Sequence, residues 1–222
     1  RDAFLDLTDM IAKSSVIKTE NYFPGPLASA TWDGKYYGVP KATNTIALYY
    51  NADMFKEKGL DPDKPPQTWA ELIDAARRLT DPSKNQYGFV ANGAAGAAGA
   101  QDWMLYNSQF GGSILGPDGL PALNSPENVN SLTVYKQLFL ETAPPGAIDY
   151  DWTARGESFR QGISAMLETW SVGIPQIMDP AQSSVSDKVS IILAPVAEGL
   201  EPDYGVGGWA MAINADIATE KQ

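Results

Sequence analysis

Six tryptophans (Trp32, Trp69, Trp103, Trp152, Trp170 and Trp209) stand in a chain of 222 residues that carries no histidine and no cysteine. A tryptophan offers a large, rigid apolar face beside a polar N–H. That shape stacks on the CH-rich face of a sugar while nearby polar side chains pair its hydroxyls. Six such rings are more than a core of this size requires. Trp69 falls in the first turn of an amphipathic helix and reads as core. Trp32 precedes a turn and fits core or rim equally well. Trp152 lies in the polar run from Ile148 to Glu157, where a ring in a loop favours binding over packing. Asp102 and Glu168 could accept hydroxyl protons, although a carboxylate in an acidic chain is by default a solvated one.

The missing residue types exclude as much as the rings suggest. Without histidine there is no Ser-His-Asp triad, no histidine-bearing zinc site and no HExxH protease; without cysteine there is no disulfide, thiolate metal site or thiol nucleophile. The formal net charge of −11 argues against nucleic acid or an anionic membrane surface as a partner. No apolar run approaches the ~18 residues of a membrane span. The glycines of Asn92 to Gly99 make no phosphate-binding motif, because no Gly-Lys-Ser/Thr follows them. The sequence calls for no metal, no cofactor and no catalytic residue. A carbohydrate-active enzyme, which needs two carboxylates across a cleft, is the alternative that composition leaves open, since acids are plentiful.

The elements that must position the rings can be read from spacing. Asp33-Gly34 is a turn, and Thr45 to Tyr50 alternates as a strand with at least one buried face. Asn51 suits the N-cap of a helix over Ala52 to Lys58 that Gly59 stops, with Met54 and Phe55 facing inward. Thr68 and Glu71 form a capping box for a helix whose apolar positions are Trp69, Leu72, Ile73, Ala76 and Leu79. Gly88 to Ala91 reads as a short buried strand, Asn92 to Gly99 as a small-residue loop, and Gln101 to Phe110 as a helix. Ser125 caps a further helix with Pro126 at its first position and Val129, Leu132, Tyr135 and Phe139 on its inner face. Pro24, Gly25 and Pro26 read as loop, and Phe159 to Leu167 as an amphipathic stretch. Val189 to Leu193 and Trp209 to Ile213 are strands. Strands separated by helices point to an α/β protein with a largely parallel sheet.

The residues themselves narrow this further. The series from Gly34-Lys-Tyr-Tyr-Gly-Val-Pro40 through Leu48-Tyr-Tyr-Asn51, Gly59-Leu60 and Pro65-Pro66 to Gln67-Thr-Trp-Ala-Glu-Leu72 resembles the extracellular solute-binding proteins of ABC importers. Within them it is most similar to the carbohydrate-binding family that includes maltose-binding protein. The likeness runs on through Phe110-Gly-Gly112, Asn124 to Val129, Phe159 to Met166, Val189 to Pro195 and Gly207 to Ile213, and so covers nearly the whole chain. It implies a periplasmic-binding-protein-like (class II) two-lobe α/β fold, non-enzymatic binding of a sugar or oligosaccharide in an interlobe cleft, closure about a hinge, and delivery to a membrane permease.

The resemblance also implies contacts. Asn44 aligns with a carboxylate that contacts sugar in maltose-binding protein, and Lys41 lies close by. Trp103 sits where that protein places aromatic contacts, and ligand contact and buried packing stand even for it. Trp170 lies two residues before the family's usual tryptophan position, which is Val172 here. Gly208 and Trp209 match a hinge segment whose small residues let the backbone reach the ligand. With Trp152 these make seven expected ligand-binding residues. Residues 1–44 and 195–222 are expected to be parts of the first lobe and residues 45–194 the second. Arg1 to Met10 reads as mid-domain sequence, so the chain is expected to be an internal fragment. The intact protein is expected to be extracytoplasmic, in the periplasm or as a cell-surface lipoprotein, and monomeric.

Overall fold

A computed structural model describes residues 3–201 and 205–217, which fall into two compact units: residues 1–45 with 206–222, and residues 46–205. In the smaller unit, helix α1 (Thr8–Lys13) turns Ile11 inward, and Leu7 before it is also buried. Helix α2 (Pro24–Ser29) occupies the segment expected to be a loop. Its prolines do no harm there, because the N–H groups of a first helical turn have no partner within the helix. Strands β1 (Thr31–Trp32) and β2 (Lys35–Tyr36) form a hairpin about the expected Asp33-Gly34 turn. Asp33 at φ 50° and Gly34 at φ 71° supply the two left-handed residues that a tight two-residue turn needs.

Strand β3 (Val39–Asn51) contributes its first half to the smaller unit and its second half to the larger. Asn51 caps helix α3 (Ala52–Glu57) as expected, its side-chain oxygen accepting from the N–H groups of Asp53 and Met54. Helix α4 (Trp69–Leu79) opens on the full Thr68/Glu71 capping box and buries Trp69, Leu72, Ala76 and Leu79. Residues 88–91 are buried as expected, but the segment forms isolated bridges rather than a regular strand, with Tyr87 beside Ser164 and Val90 beside Leu167, and Phe89 N–H donates to the Thr142 carbonyl. Helix α5 (Ala97–Gln109) starts inside the expected glycine loop.

Helix α6 (Pro126–Glu141) carries the predicted Ser125 cap, and its predicted inner face holds at Tyr135 and Phe139, which pack on the core, but not in its first turns. Val129 and Leu132 are more than half exposed, while Asn128, Ser131 and Leu138 are buried. Polar partners decide this: Asn128 Nδ2 donates to the Ser113 and Ala122 carbonyls, and the Ser131 hydroxyl donates to Asn107 Oδ1. The stretch from Phe159 to Leu167 also divides. Helix α7 (Trp152–Arg160) keeps Phe159, a turn follows, and Met166 and Leu167 open strand β4 (Met166–Trp170). Helix α8 (Ile174–Met178) and strand β5 (Val189–Leu193) complete the larger unit.

β4 and β5 flank the second half of β3, and both run against it, with Leu48 opposite Glu168 on one side and Ile192 on the other. The expected largely parallel sheet is therefore corrected. The helices between β3 and β4 do not return the chain to a parallel neighbour, and among the described residues parallel pairing is confined to isolated bridges. The second half of β3 is buried on both faces, while Ile191 and Leu193 on the edge strand β5 are exposed. Leu48 and Tyr50 join Phe55, Trp69, Phe89 and Met166 on one side, while Tyr49 joins Val90, Phe159 and Leu167 on the other.

Strand β6 (Val206–Met211) runs antiparallel to the first half of β3, with Asn44 opposite Gly207 and Thr43 opposite Gly208. Residues 195–201 stay with the larger unit, where the sequence reading assigns 195–222 to the other lobe: Trp69 N–H donates to the Val196 carbonyl and Ala197 N–H to that of Gln109. Residues 1–2, 202–204 and 218–222 of the expected first lobe lie outside the described residues.

Candidate functional site

In the larger unit the rings stand beside a buried polar network. Asp102 on α5 receives three donors: the Asn92 backbone N–H at 2.8 Å, Asn92 Nδ2 at 2.9 Å and Arg155 Nη1 at 2.6 Å. Arg155, on α7, extends its other arm to the Thr169 hydroxyl at 3.0 Å. The Tyr135 hydroxyl closes the network on the Asn92 carbonyl. Both charged side chains of the pair are sealed, at 3% and 2% exposure. Burial pushes the Asp102 carboxyl above its ordinary value, against the pull of Arg155 and the Asn92 donors.

A second buried chain lies behind β4. Trp69 Nε1 donates to Gln109 Oε1 at 3.0 Å, and Gln109 Nε2 donates to Glu168 Oε1 at 2.7 Å. The other oxygen, Glu168 Oε2, is buried without a partner. Burial pushes Glu168 up to about 8, so at neutral pH this side chain is mostly the uncharged acid. The default expectation of solvated carboxylates is thus overturned for both Asp102 and Glu168. Burial is decided by what packs across, which spacing does not reveal. One signal was available: Asp102 is the lone charge in the 13 residues of α5.

The expected site residues fall into two groups. In the larger unit, Trp170 ends β4, half-buried, beside Thr169. Trp103, also half-buried, follows Asp102 and leaves its Nε1 without a partner. Trp152 is corrected from a loop position to the first residue of α7, with Asp151 capping the helix; it is exposed and donates from Nε1 to Gln101 Oε1 at 3.2 Å. In the smaller unit, Lys41, Asn44, Gly208 and Trp209 all lie on the β3–β6 pair. Trp209 and Gly208 line a groove of about 130 Å³ with Pro26 and Pro40, and Lys41 lines another of about 150 Å³ with Tyr22 and Phe23. Gly208 has a packing reason of its own: a Cβ there would stand 2.3 Å from the Ala42 carbonyl oxygen, so only glycine lets β6 close on β3. Sequence reasoning missed Asn92, Gln109, Arg155 and Thr169, whose roles exist only through partners far along the chain.

Chemically, the larger unit offers aromatic faces beside fixed polar groups, and its two most conspicuous carboxylates are engaged internally. A family model described as bacterial extracellular solute-binding protein matches residues 1–222. A solute-binding protein of an ABC transporter from Agrobacterium radiobacter K84, solved with ribitol, is 56% identical, with a TM-score of 0.92 over 99% of this chain and 55% of that one. The maltose-bound T. maritima MalE3 is 26% identical, with a TM-score of 0.86 over 99% of this chain and 55% of its own. A probable ABC transporter-binding protein from Deinococcus radiodurans is 28% identical over 97% of this chain and 52% of its length. The chain thus spans about half the length of the proteins it matches.

Proposed function

The chain belongs to the bacterial extracellular solute-binding proteins, and from that premise we propose that the intact protein binds a sugar or sugar alcohol outside the cytoplasm and hands it to the permease of an ABC importer. The observation that carries this reading is the 56% identity to a ribitol complex over 99% of the chain. Sugar alcohols and sugars share the chemistry the rings and amides suit, with CH-rich faces to stack and a dense row of hydroxyls to pair. Trp103, Trp152 and Trp170 are the contacts assigned to the larger unit, and Lys41, Asn44 and Trp209 those assigned to the smaller. Binding without turnover is favoured over hydrolysis, because Asp102 and Glu168 are buried and paired inside the protein rather than facing a substrate across a cleft. Capture at the periplasm or cell surface, with the protein acting as a monomer, completes the proposal.

A thermal-shift screen of the full-length protein against pentitols, hexitols, monosaccharides and maltose tests this reading. At least one should raise the melting temperature in a saturable way. Trp170→Ala and Trp209→Ala should each weaken the best ligand by about 1–3 kcal/mol, the usual loss on truncating a stacked ring. A flat screen, or ligand consumed during incubation, would remove the proposal.

A further inference from the structure

Each tryptophan assigned to ligand contact in the larger unit adjoins a member of the buried Asp102–Arg155 network. Trp103 follows Asp102, and Trp170 follows Thr169, which receives Arg155 Nη2. Trp152 lies one helical turn before Arg155 on α7, and its Nε1 bonds to Gln101, the residue before Asp102. Three elements that are distant in sequence (α5, α7 and β4) are thereby tied through a single guanidinium.

We propose that Arg155 and Asp102 are positioning residues that hold Trp103, Trp152 and Trp170 as one ligand-binding set without touching the ligand themselves; the proposal rests on the binding reading above. Both are sealed from solvent, so a direct contact would require opening the network. A buried ion pair adds little net stability, because desolvation offsets most of its attraction; what it adds here is direction. The planar guanidinium reaches Asp102 and Thr169 with two arms at fixed angles, which a lysine ammonium cannot reproduce. Arg155 Nε and Asn92 Oδ1 have no partner, so no other bond from those atoms would preserve the geometry if the two arms were lost.

The test uses the full-length protein labelled with 5-fluorotryptophan, read by fluorine NMR without ligand, together with calorimetric titration of the best-binding sugar alcohol. Arg155→Lys should move the resonances of Trp103, Trp152 and Trp170, leave Trp32 and Trp209 in place, and weaken binding about tenfold. Thr169→Val, which removes one hydroxyl and keeps the shape, should move Trp170 and weaken binding about threefold. Unmoved rings, or moved rings with unchanged affinity, overturn the proposal. Should Arg155→Lys fail to fold, Thr169→Val decides on the same two readouts. Should the wild-type protein bind no sugar alcohol or sugar, the binding reading falls, while the resonances still decide whether the pair positions the rings.

Discussion

In the larger unit Trp103, Trp152 and Trp170 adjoin side chains sealed from water, whereas in the smaller unit Trp209 stands 74% exposed on a pairing of two strands. The first group is fixed by side-chain chemistry: an ion pair, an amide and a hydroxyl that reach across three elements. The second is held by backbone: Gly208 lets β6 close against Ala42, and the strand register sets Trp209 beside Pro26 and Pro40. Sensitivity to substitution should therefore track how a ring is held, not only whether it is aromatic.

The largest effect should separate a ring that is part of the core from one that is not. Trp69 is fully buried among Phe89, Tyr106 and Phe110, and Trp69→Ala should cost about 3–5 kcal/mol in a urea melt. A loss under ~1 kcal/mol would break the contrast from the side of the larger unit.

Next comes pH. Burial lifts Glu168 from an ordinary 4.5 to about 8, so the fold holds this proton more tightly than the unfolded chain does. Its contribution is full below pH 4.5 and is lost as pH rises to about 8, with a slope of at most ~1.4 kcal/mol per pH unit and a total of a few kcal/mol. Asp81, held down to about 2 by Ser83 and Lys58, acts in the opposite sense only below its ordinary 3.8, outside that window. Urea melts from pH 5 to 8 should therefore show falling stability in the wild type and a flatter profile in Glu168→Gln. Parallel profiles for the two proteins would show that the larger unit stores no such buried acid.

Gly208→Ala should be smaller again, about 1–3 kcal/mol, because a Cβ has to displace backbone. Amide exchange should quicken at residues 42–45 and stay unchanged in β4. Exchange that quickens throughout would mean that the smaller unit's ring is not held locally. Trp209→Ala should change stability by less than ~0.5 kcal/mol, the smallest effect of the four; a loss above ~2 kcal/mol would erase the distinction between the two groups.

What could be read from the sequence was what is settled within a few residues. The Asn51 and Ser125 caps, the Thr68/Glu71 box and the Asp33-Gly34 turn each close on neighbours along the chain, so composition and offset suffice. Errors arose where distant partners decide. The helical period found Tyr135 and Phe139 on the inner face of α6, but its first turns are set by Ser113, Ala122 and Asn107, which no period reveals. Met166 and Leu167 have the apolar character of a buried helix face, and only pairing with Tyr50 and Tyr49 makes them strand. The candidate site divides in the same way. Its tryptophans were visible by type, but Arg155 and Thr169, 14 positions apart, become one device only in the folded unit.

Sugar binding without turnover is tested most directly by one titration: ribitol, then other sugar alcohols and sugars, into the full-length protein by calorimetry, with the ligand recovered and identified afterwards. Saturable binding at one site per protein, with the ligand returned unchanged, is the predicted result. No heat across the whole series, or a recovered ligand that has been cleaved or altered, would contradict it.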